Sequence, residues 1–553
     1  MRHLSFVTRI WTYLWQERLP LLIILGCFIF SGFLVSPLRN VPLIDDWTYV
    51  WSVENLIKTG HLAMLDWNGH YPILQILLGG LVSLLFGFSF GVLRVLTVSL
   101  AIVGCMALYL TLREAELDRE RSLLGALTLA VNPVFFCLSF SFMTDVPFLS
   151  MMTIALLFYV AGTRRESQAL LWMGSLFAVA AFLSRQIGFI IPLVLVPCLV
   201  QRKTGQPGLR KKLMPFAASL SVIGILWLWM LKSLGSTSVI AKKVEEVRYL
   251  FLISPGEYLD FNMGLLLNVT FAVFPLLIAG IVFRPRWWPL AVALLTIGGA
   301  LLLRIRFGEV PSPISDRGTW SLQELADVRG LIQGSLTAPG PLDRFSLPIS
   351  ALMLTSASIL TAGTLRFFIK ARGRMSRPTM IIMTIGLLHF ILINALWFYN
   401  DRYYLVLLPS LIFLSLKLTA KTGFSRSVAL SGILMLGFVS VSGTWDALRF
   451  NQACLEAFHY LRSAGAPVAE IDAGYSITGW MLYAHPENLP PAANPAEDVP
   501  WITSNEKLPY VISNTPLPGY KVLKEFSWNG SLWAVSNTVY ALHKQDSGVN
   551  AVP

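Results

Sequence analysis

The chain has 553 residues, 55% of them hydrophobic and only 13% charged, a balance that argues against both a soluble globular domain and a disordered chain. The formal net charge is +12 at pH 7, but Lys and Arg gather in short links between apolar runs, as membrane orientation requires, so nucleic-acid binding is set aside. Five cysteines (Cys27, Cys105, Cys137, Cys198 and Cys454) show no CxxC spacing, which points to packing and not to a metal site or a disulfide framework.

Apolar runs of about 18 residues or more recur along most of the chain, each long enough to cross a hydrocarbon core of ~30 Å. The fold class is therefore a polytopic α-helical membrane protein. The first run, Leu19 to Val35, follows the basic MRHLSFVTRIWTYLWQER without a small-residue cleavage site and reads as a retained helix, not a signal peptide. With Arg2, Arg9 and Arg18 in the cytoplasm, the positive-inside rule orients the remainder. A helix over 19–36 runs outward, and one over 91–111 returns to REAELDRER. Between them lies an outer segment in which YPILQILLGGLVSLLFG (71–87) rests in the interface, because a crossing there would invert REAELDRER. Helices over 122–141 and 147–162 flank the outer SFMTDVPF, and the next pair flanks the outer FLSRQIG and leads to the inner QRKTGQPGLRKK. The alternation continues through the inner RPRWW, KARGRMSRP and KTGFSR and the outer WFYNDRYY. About thirteen transmembrane helices result, with the N-terminus inside and the C-terminus outside. From about Ser442, Pro, Asn, Ser and acidic residues enter with short strand-like runs such as YVISNT and SLWAVSN, so a transmembrane part (1–441) precedes a small α+β outer domain (442–553).

Four polar constellations fall on the outer side: Asp45 with Asp46, Asp145, Ser184 with Arg185, and Asp401 with Arg402 and Tyr403. Each taken alone is as well explained by a helix cap or an arginine reaching lipid headgroups. The adjacent pair is different, since neighbouring carboxylates repel unless a cation, a proton or an arginine lies between them. Two acid-bearing loops facing a basic loop suit an anionic, lipid-linked substrate. One acid would serve as general base, and arginine would hold the departing phosphate with its planar fork. A hydroxyl acceptor attacking a sugar carbon, with polyprenyl phosphate leaving, fits these parts. The competing class is a transporter or flippase of a lipid-linked glycan, which predicts acids or breaks in the middle of helices.

The order of these motifs resembles the GT-C glycosyltransferases of the protein-mannosyltransferase and aminoarabinose-transferase type. Asp45 and Asp46 occupy the position of that family's acidic pair after the first helix, usually Asp-Glu, and Tyr49 matches a tyrosine that often follows. GHYP (69–72) resembles its HPP or EKP element and puts His70 where the family has His or a metal-binding Glu. FGFSFGVLRV resembles the LFG...R entry to the second helix, with Arg94 in the matching place, and MTDVPF resembles LTDP, with Asp145. FLSRQIG resembles the TKG loop, Ser184 and Arg185 standing for Thr and Lys, and DRYYLVLLP resembles RYLLPLLP, with Arg402.

The resemblance implies a GT-C-like fold and an inverting glycosyltransferase that moves a sugar from a polyprenyl-phosphate donor to a hydroxyl acceptor on lipid A, a protein or an envelope glycan. It implies work at the outer face of the cytoplasmic (inner) membrane of a bacterium. Asp45 is then the general base, Asp46 and Asp145 orient it, and Arg185, Arg402, Tyr403 and Arg94 hold the donor phosphate. A divalent metal (Mg, Mn or Zn) on Asp46, His70 and Asp145 is a further implication, with a helix-end hydrogen bond as the alternative role of His70. Asp in place of Glu at position 46, and Ser-Arg in place of Thr-Lys, leave metal dependence and donor selectivity open. Glu54 and His61 share one helical face of the same outer segment and fit either a site wall or a solvated stripe.

Overall fold

The structure, a computed structural model, describes residues 14–197, 209–240 except 236 and 238, 254–281, 287–307, 346–371, 375–395, 401–419, 423–499 except 492 and 495–498, 508–530 and 537–545. The expected loops at 198–208 and 308–345, RPR (284–286), RGR (372–374), WFYN (397–400), the start of KTGFSR and most of SLWAVSN lie outside the described residues. In chain order the helices are α1 (Arg18–Val35), α2 (Asp46–Thr59), α3 (Ile73–Phe86), α4 (Phe90–Glu114), α5 (Arg119–Ala130), α6 (Pro133–Ser139), α7 (Asp145–Arg164), α8 (Gln168–Ser184), α9 (Leu209–Ser233), α10 (Pro255–Ile281), α11 (Trp287–Phe307), α12 (Ser346–Ala371), α13 (Arg377–Asn394), α14 (Leu408–Thr419) and α15 (Arg426–Ser463). Tight 3-10 turns of helix occupy Gln186–Leu195 and Asp401–Leu407.

Several helices begin where a serine can answer the otherwise unpaired N–H groups of a first turn. Ser89, Ser167, Ser376 and Ser425 each accept a hydrogen bond from the backbone N–H three residues on. Nine helical stretches among the described residues are long and apolar enough to cross a membrane, or ten if the bent pair α5–α6 is one span. The expected thirteen are not reached there, because apolarity alone does not measure helix length. α8 has 17 residues and the stretch Gln186–Leu195 only 10, so at 1.5 Å per residue α8 extends about 26 Å; α3, expected in the interface and not among the thirteen, has 14. The helix expected over 122–141 is bent by 66°. Pro133 lacks an N–H and opens a new helix, which Asn132 caps by accepting from the Phe135 N–H at 3.0 Å.

α4, α7 and α8 pack together through small residues, as helices in a membrane do when their backbones approach closely. Thr153 of α7 donates to the Gly104 carbonyl of α4 at 3.2 Å, and the Tyr159 hydroxyl meets Ser175 Oγ of α8 at 3.1 Å. Apolar side chains also point outward: Phe30, Phe33, Leu84, Ile225 and Leu228 are exposed, a surface suited to lipid tails and unsuited to water. The far end of α4 is tied by charge. Glu17 accepts from Tyr109, Arg113 and Arg119, and Glu114 pairs with Arg164 and Arg165, about 28 Å along the helix from Arg94 by its rise per residue.

α15 runs through position 442 without a break, so the last span and the first helix of the C-terminal unit are one element. Beyond it, β1 (Ile471–Asp472), β2 (Tyr510–Ser513), β3 (Tyr520–Ser527) and β4 (Thr538–Lys544) form a sheet in the order β1-β2-β4-β3, with β1 parallel to β2 and the other pairs antiparallel. Phe450, Phe458 and Leu461 of α15 pack against Ile512, Val539 and Ala541, the apolar face of an amphipathic sheet.

Gly104 tests the helix packing. A Cβ there would lie 2.5 Å from Ser150 Oγ and 3.0 Å from its Cα, whereas a Cβ at Gly224 of α9 meets nothing within 4 Å. Gly104→Leu should therefore cost about 1–3 kcal/mol by overpacking and lower the melting temperature in detergent, while Gly224→Leu leaves it unchanged. Equal melting temperatures for the two variants would contradict this packing.

Candidate active site

The site is built on the connection from α1 to α2. Its backbone carbonyls have no helix or sheet to satisfy them, and Arg94, fully buried near the start of α4, fills that role. Its guanidinium donates to the carbonyls of Pro37 at 2.9 Å, Arg39 at 2.7 Å and Val41 at 2.9 Å. Asp46 is also fully buried, its Oδ1 accepting from the Leu43 N–H at 2.8 Å and its Oδ2 from the Phe142 N–H at 3.3 Å. Between the two anchors Ile44 has φ 53°, a left-handed conformation that a β-branched residue rarely adopts and that costs about 1–3 kcal/mol.

Asp45, the next residue, meets a different set of partners. Its Oδ2 accepts from Arg402 Nη2 at 3.2 Å, across 357 residues of sequence, and its Oδ1 accepts from the Tyr475 hydroxyl. Asp145, at the start of α7, pairs through Oδ1 with Arg185, which follows the last residue of α8. The Arg185 guanidinium carbon stands 5.8 Å from the centre of the Tyr403 ring, within cation–π range. Buried Tyr49 of α2 lies among these groups. Burial and the Asp45 charge push its hydroxyl well above the usual range, so it remains a neutral donor. Its ring is 5.5 Å from that of His70, whose Nε2 is 2.9 Å from Thr144 Oγ1. Asp45, Asp145, Arg185, Arg402, Tyr403 and His70 are thus gathered from five distant parts of the chain.

Asp46 and Arg94 are not brought to this cluster. Both sit behind the turn, with carboxylate and guanidinium turned to backbone groups, where they shape the loop and have no surface to offer a substrate. Ser184 is buried and donates to the Ala180 carbonyl, and the Asp401 side chain is outside the described residues. The implied metal site is not formed either. Among the described residues no three His, Cys, Asp or Glu side chains lie together so as to hold a metal ion. Asp46 faces two amides, Asp145 Oδ1 an arginine and His70 a hydroxyl, so these side chains are turned to other partners in this structure.

Tyr475, Trp67 and Ser476 carry no sequence signal that joins them to the site, yet they adjoin Asp45. Trp67 Nε1–H donates to Tyr475 Oη at 3.1 Å, and Ser476 Oγ–H donates to the Ile44 carbonyl at 3.2 Å. A cavity of about 560 Å³ opens beside them between α2 and residues 483–487, with Trp51, Glu54, Lys58, Asp66, Tyr483 and His485 among its walls. Glu54 belongs to this cavity, where it pairs with Lys58 at 2.7 Å and faces His485 at 3.4 Å. The Tyr483 ring is 5.5 Å from Trp67, so an aromatic row, Tyr483, Trp67 and Tyr475, leads from the cavity to Asp45.

Residues 70–230 match the model of the dolichyl-phosphate-mannose-protein mannosyltransferase family. The stretch contains His70, Arg94, Asp145 and Arg185, and the resemblance read from the order of the motifs is met there. No curated protein matches the chain. Among solved structures it is similar to the apo oligosaccharyltransferase of Archaeoglobus fulgidus, with 16% identity over 94% of this chain and 76% of that one and a TM-score of 0.45. It is also similar to ArnT from Cupriavidus metallidurans bound to undecaprenyl phosphate, with 13% identity over 96% and 98% of the two chains and a TM-score of 0.40. The Pmt1–Pmt2 protein O-mannosyltransferase complex of S. cerevisiae bound to the sugar donor matches over 39% of this chain and 33% of that one, with 16% identity and a TM-score of 0.33.

The burial of Asp46 has a pH signature. Desolvation raises its carboxyl from 3.8 to about 7, against the opposing pull of Arg94 and the two amides. The folded state then holds the proton more tightly than the unfolded chain. The stability associated with this group is full below about pH 4 and is lost as pH rises toward 7. Melting temperatures between pH 4 and 8 should show wild type falling relative to Asp46→Asn over that window, with the gap constant above it. A difference that does not change with pH would contradict a buried, readily protonated Asp46.

Proposed function

We propose that the protein is a GT-C-type glycosyltransferase that moves a sugar from a polyprenyl-phosphate donor to a hydroxyl acceptor by one inverting displacement. The observation that carries this is the meeting of two carboxylate–arginine pairs, Asp45 with Arg402 and Asp145 with Arg185, around Tyr403. The family matched over residues 70–230 is named for a sugar donor of that kind, dolichyl-phosphate-mannose. The same reading sets the reaction at the outer face of a bacterial cytoplasmic membrane, with the N-terminus inside and the C-terminus outside.

In this mechanism Asp45 takes the proton of the acceptor hydroxyl as its oxygen attacks the anomeric carbon. The bond from that carbon to the phosphate oxygen breaks with its electron pair, and the polyprenyl phosphate leaves with the added negative charge. A guanidinium has five N–H groups, so Arg402 can hold Asp45 and a phosphate oxygen at once, and Arg185 can do the same from Asp145. Each such charge-assisted bond strengthens as the leaving oxygen gains charge, which is where binding lowers the barrier. Asp145 Oδ2 is buried without a hydrogen-bond partner among the described residues and would accept from a sugar hydroxyl. The acceptor approaches through the cavity beside Trp51 and Tyr483, whose rings offer apolar faces to a carbohydrate or a side chain.

The broken helix α5–α6 is the feature that favours the transporter alternative, and one assay separates the two. In membranes with matched expression, transfer of radiolabelled sugar from polyprenyl-phosphate donors to endogenous acceptors should fall at least about 100-fold in Asp45→Asn. Undiminished transfer by the variant removes Asp45 as the base. Movement of a lipid-linked glycan across vesicle membranes, with no transfer to any acceptor, would replace the transferase by a flippase.

A second variant addresses donor binding. Arg402→Lys keeps the charge but loses the planar fork, so KM for the lipid donor should rise about tenfold. An unaltered KM would remove Arg402 from the donor site.

A further inference from the structure

The C-terminal unit contacts the turn of Asp45 through three closely spaced residues. Tyr475 opens a short helix, Tyr475–Thr478, after Gly474, whose φ of 78° suits glycine. The turn is fixed on both sides: Asp472 Oδ1 accepts from the Gly474 N–H at 3.0 Å, and the Thr478 hydroxyl accepts from the Ala473 N–H at 3.1 Å. From this base Ser476 reaches the Ile44 carbonyl, and Gly479 lies against the Trp47 indole so closely that a Cβ would come within 2.5 Å of it. Tyr475 itself packs against both Trp47 and Trp67, with ring centres 6.3 and 6.4 Å away.

The direction of the hydrogen bonds is decided by the donors available. The indole N–H of Trp67 can only donate, so Tyr475 Oη accepts from it and turns its own proton to Asp45 Oδ1. Desolvation and the adjacent Asp45 charge push the Tyr475 hydroxyl up, which keeps that proton in place. A donor aimed at one carboxylate oxygen, opposite an arginine on the other, fixes the plane of the carboxylate.

We propose that Tyr475, itself held by the Trp67 indole N–H, is a positioning residue for Asp45, so that the C-terminal unit completes the active site instead of only selecting acceptors. The inference rests on the assignment of Asp45 as the base. Its substrate would be the same lipid-linked donor and hydroxyl acceptor, and Tyr475 touches neither.

The test is the pH profile of sugar transfer by the full-length protein in membranes, for wild type, Asp45→Asn, Tyr475→Phe and Trp67→Phe. Tyr475→Phe should move the acidic limb of kcat/KM up by about one pH unit, the change expected when one charge-assisted bond to a carboxylate is lost, and lower kcat about tenfold, with the donor KM unchanged. Trp67→Phe keeps an aromatic face but loses the indole N–H that donates to Tyr475, and should move the limb in the same direction by less. It also serves in place of Tyr475→Phe if that variant does not fold. Profiles that superimpose on wild type after scaling would overturn the inference, because a merely structural contact has no reason to shift the limb. If Asp45→Asn abolishes transfer while the other two profiles superimpose, the inference fails and the assignment of the base stands. If Asp45→Asn transfers sugar like wild type, that assignment fails and the inference with it.

Discussion

A buried arginine and a buried carboxylate hold the ten residues from which the site is built. The carbonyls of Pro37, Arg39 and Val41 belong to no helix or sheet, and all three are answered by the Arg94 guanidinium. Burying that cation alone would cost several kcal/mol, and the electrostatic coupling of Arg94 to Asp46 offsets part of it. Asp46 in turn joins the loop to Phe142, three residues before Asp145. The two acid-bearing loops are therefore tied to each other through the Asp46 carboxylate.

Orientation follows from that scaffold. With Arg94 and Asp46 fixing the chain on either side and Ile44 in a left-handed conformation, consecutive aspartates are sent in opposite directions, one to the interior and one to Arg402. The repulsion expected of adjacent carboxylates is thereby reduced, by their opposite directions and by a guanidinium near each. The site then holds two carboxylates and two guanidinium groups in balance. On the proposed reading, a phosphodiester would add a negative charge beside the arginines in a poorly solvated place, where their interaction is stronger than it would be in water.

The sequence revealed the identity of the cluster better than its anatomy. Asp45, Asp145, Arg185 and Arg402 stood out because charged residues at the ends of apolar runs are costly and few, and their order along the chain limited the chemistry. Asp46 was marked by the same pattern and Arg94 by the family resemblance alone, but whether a side chain faces a substrate or a backbone carbonyl depends on local backbone geometry, such as the left-handed Ile44, that hydropathy does not register. Tyr475 lies 430 residues from Asp45, in a segment with no charge pattern, and only packing joins them. In the membrane part, hydropathy located the apolar runs yet not the break at Asn132–Pro133, nor the limited length of α8. The boundary expected at 442 falls within a helix, because the change in composition occurs along α15 before the chain turns.

The central claim is a single displacement at the anomeric carbon, with Asp45 taking a proton and forming no bond to sugar. The anomeric configuration of the transferred sugar, determined by NMR on the product of a polyprenyl-phosphate donor of known configuration, tests it most directly. Inversion is the predicted result. Retention would contradict the account, since it requires a second displacement through a glycosyl–enzyme intermediate on a carboxylate.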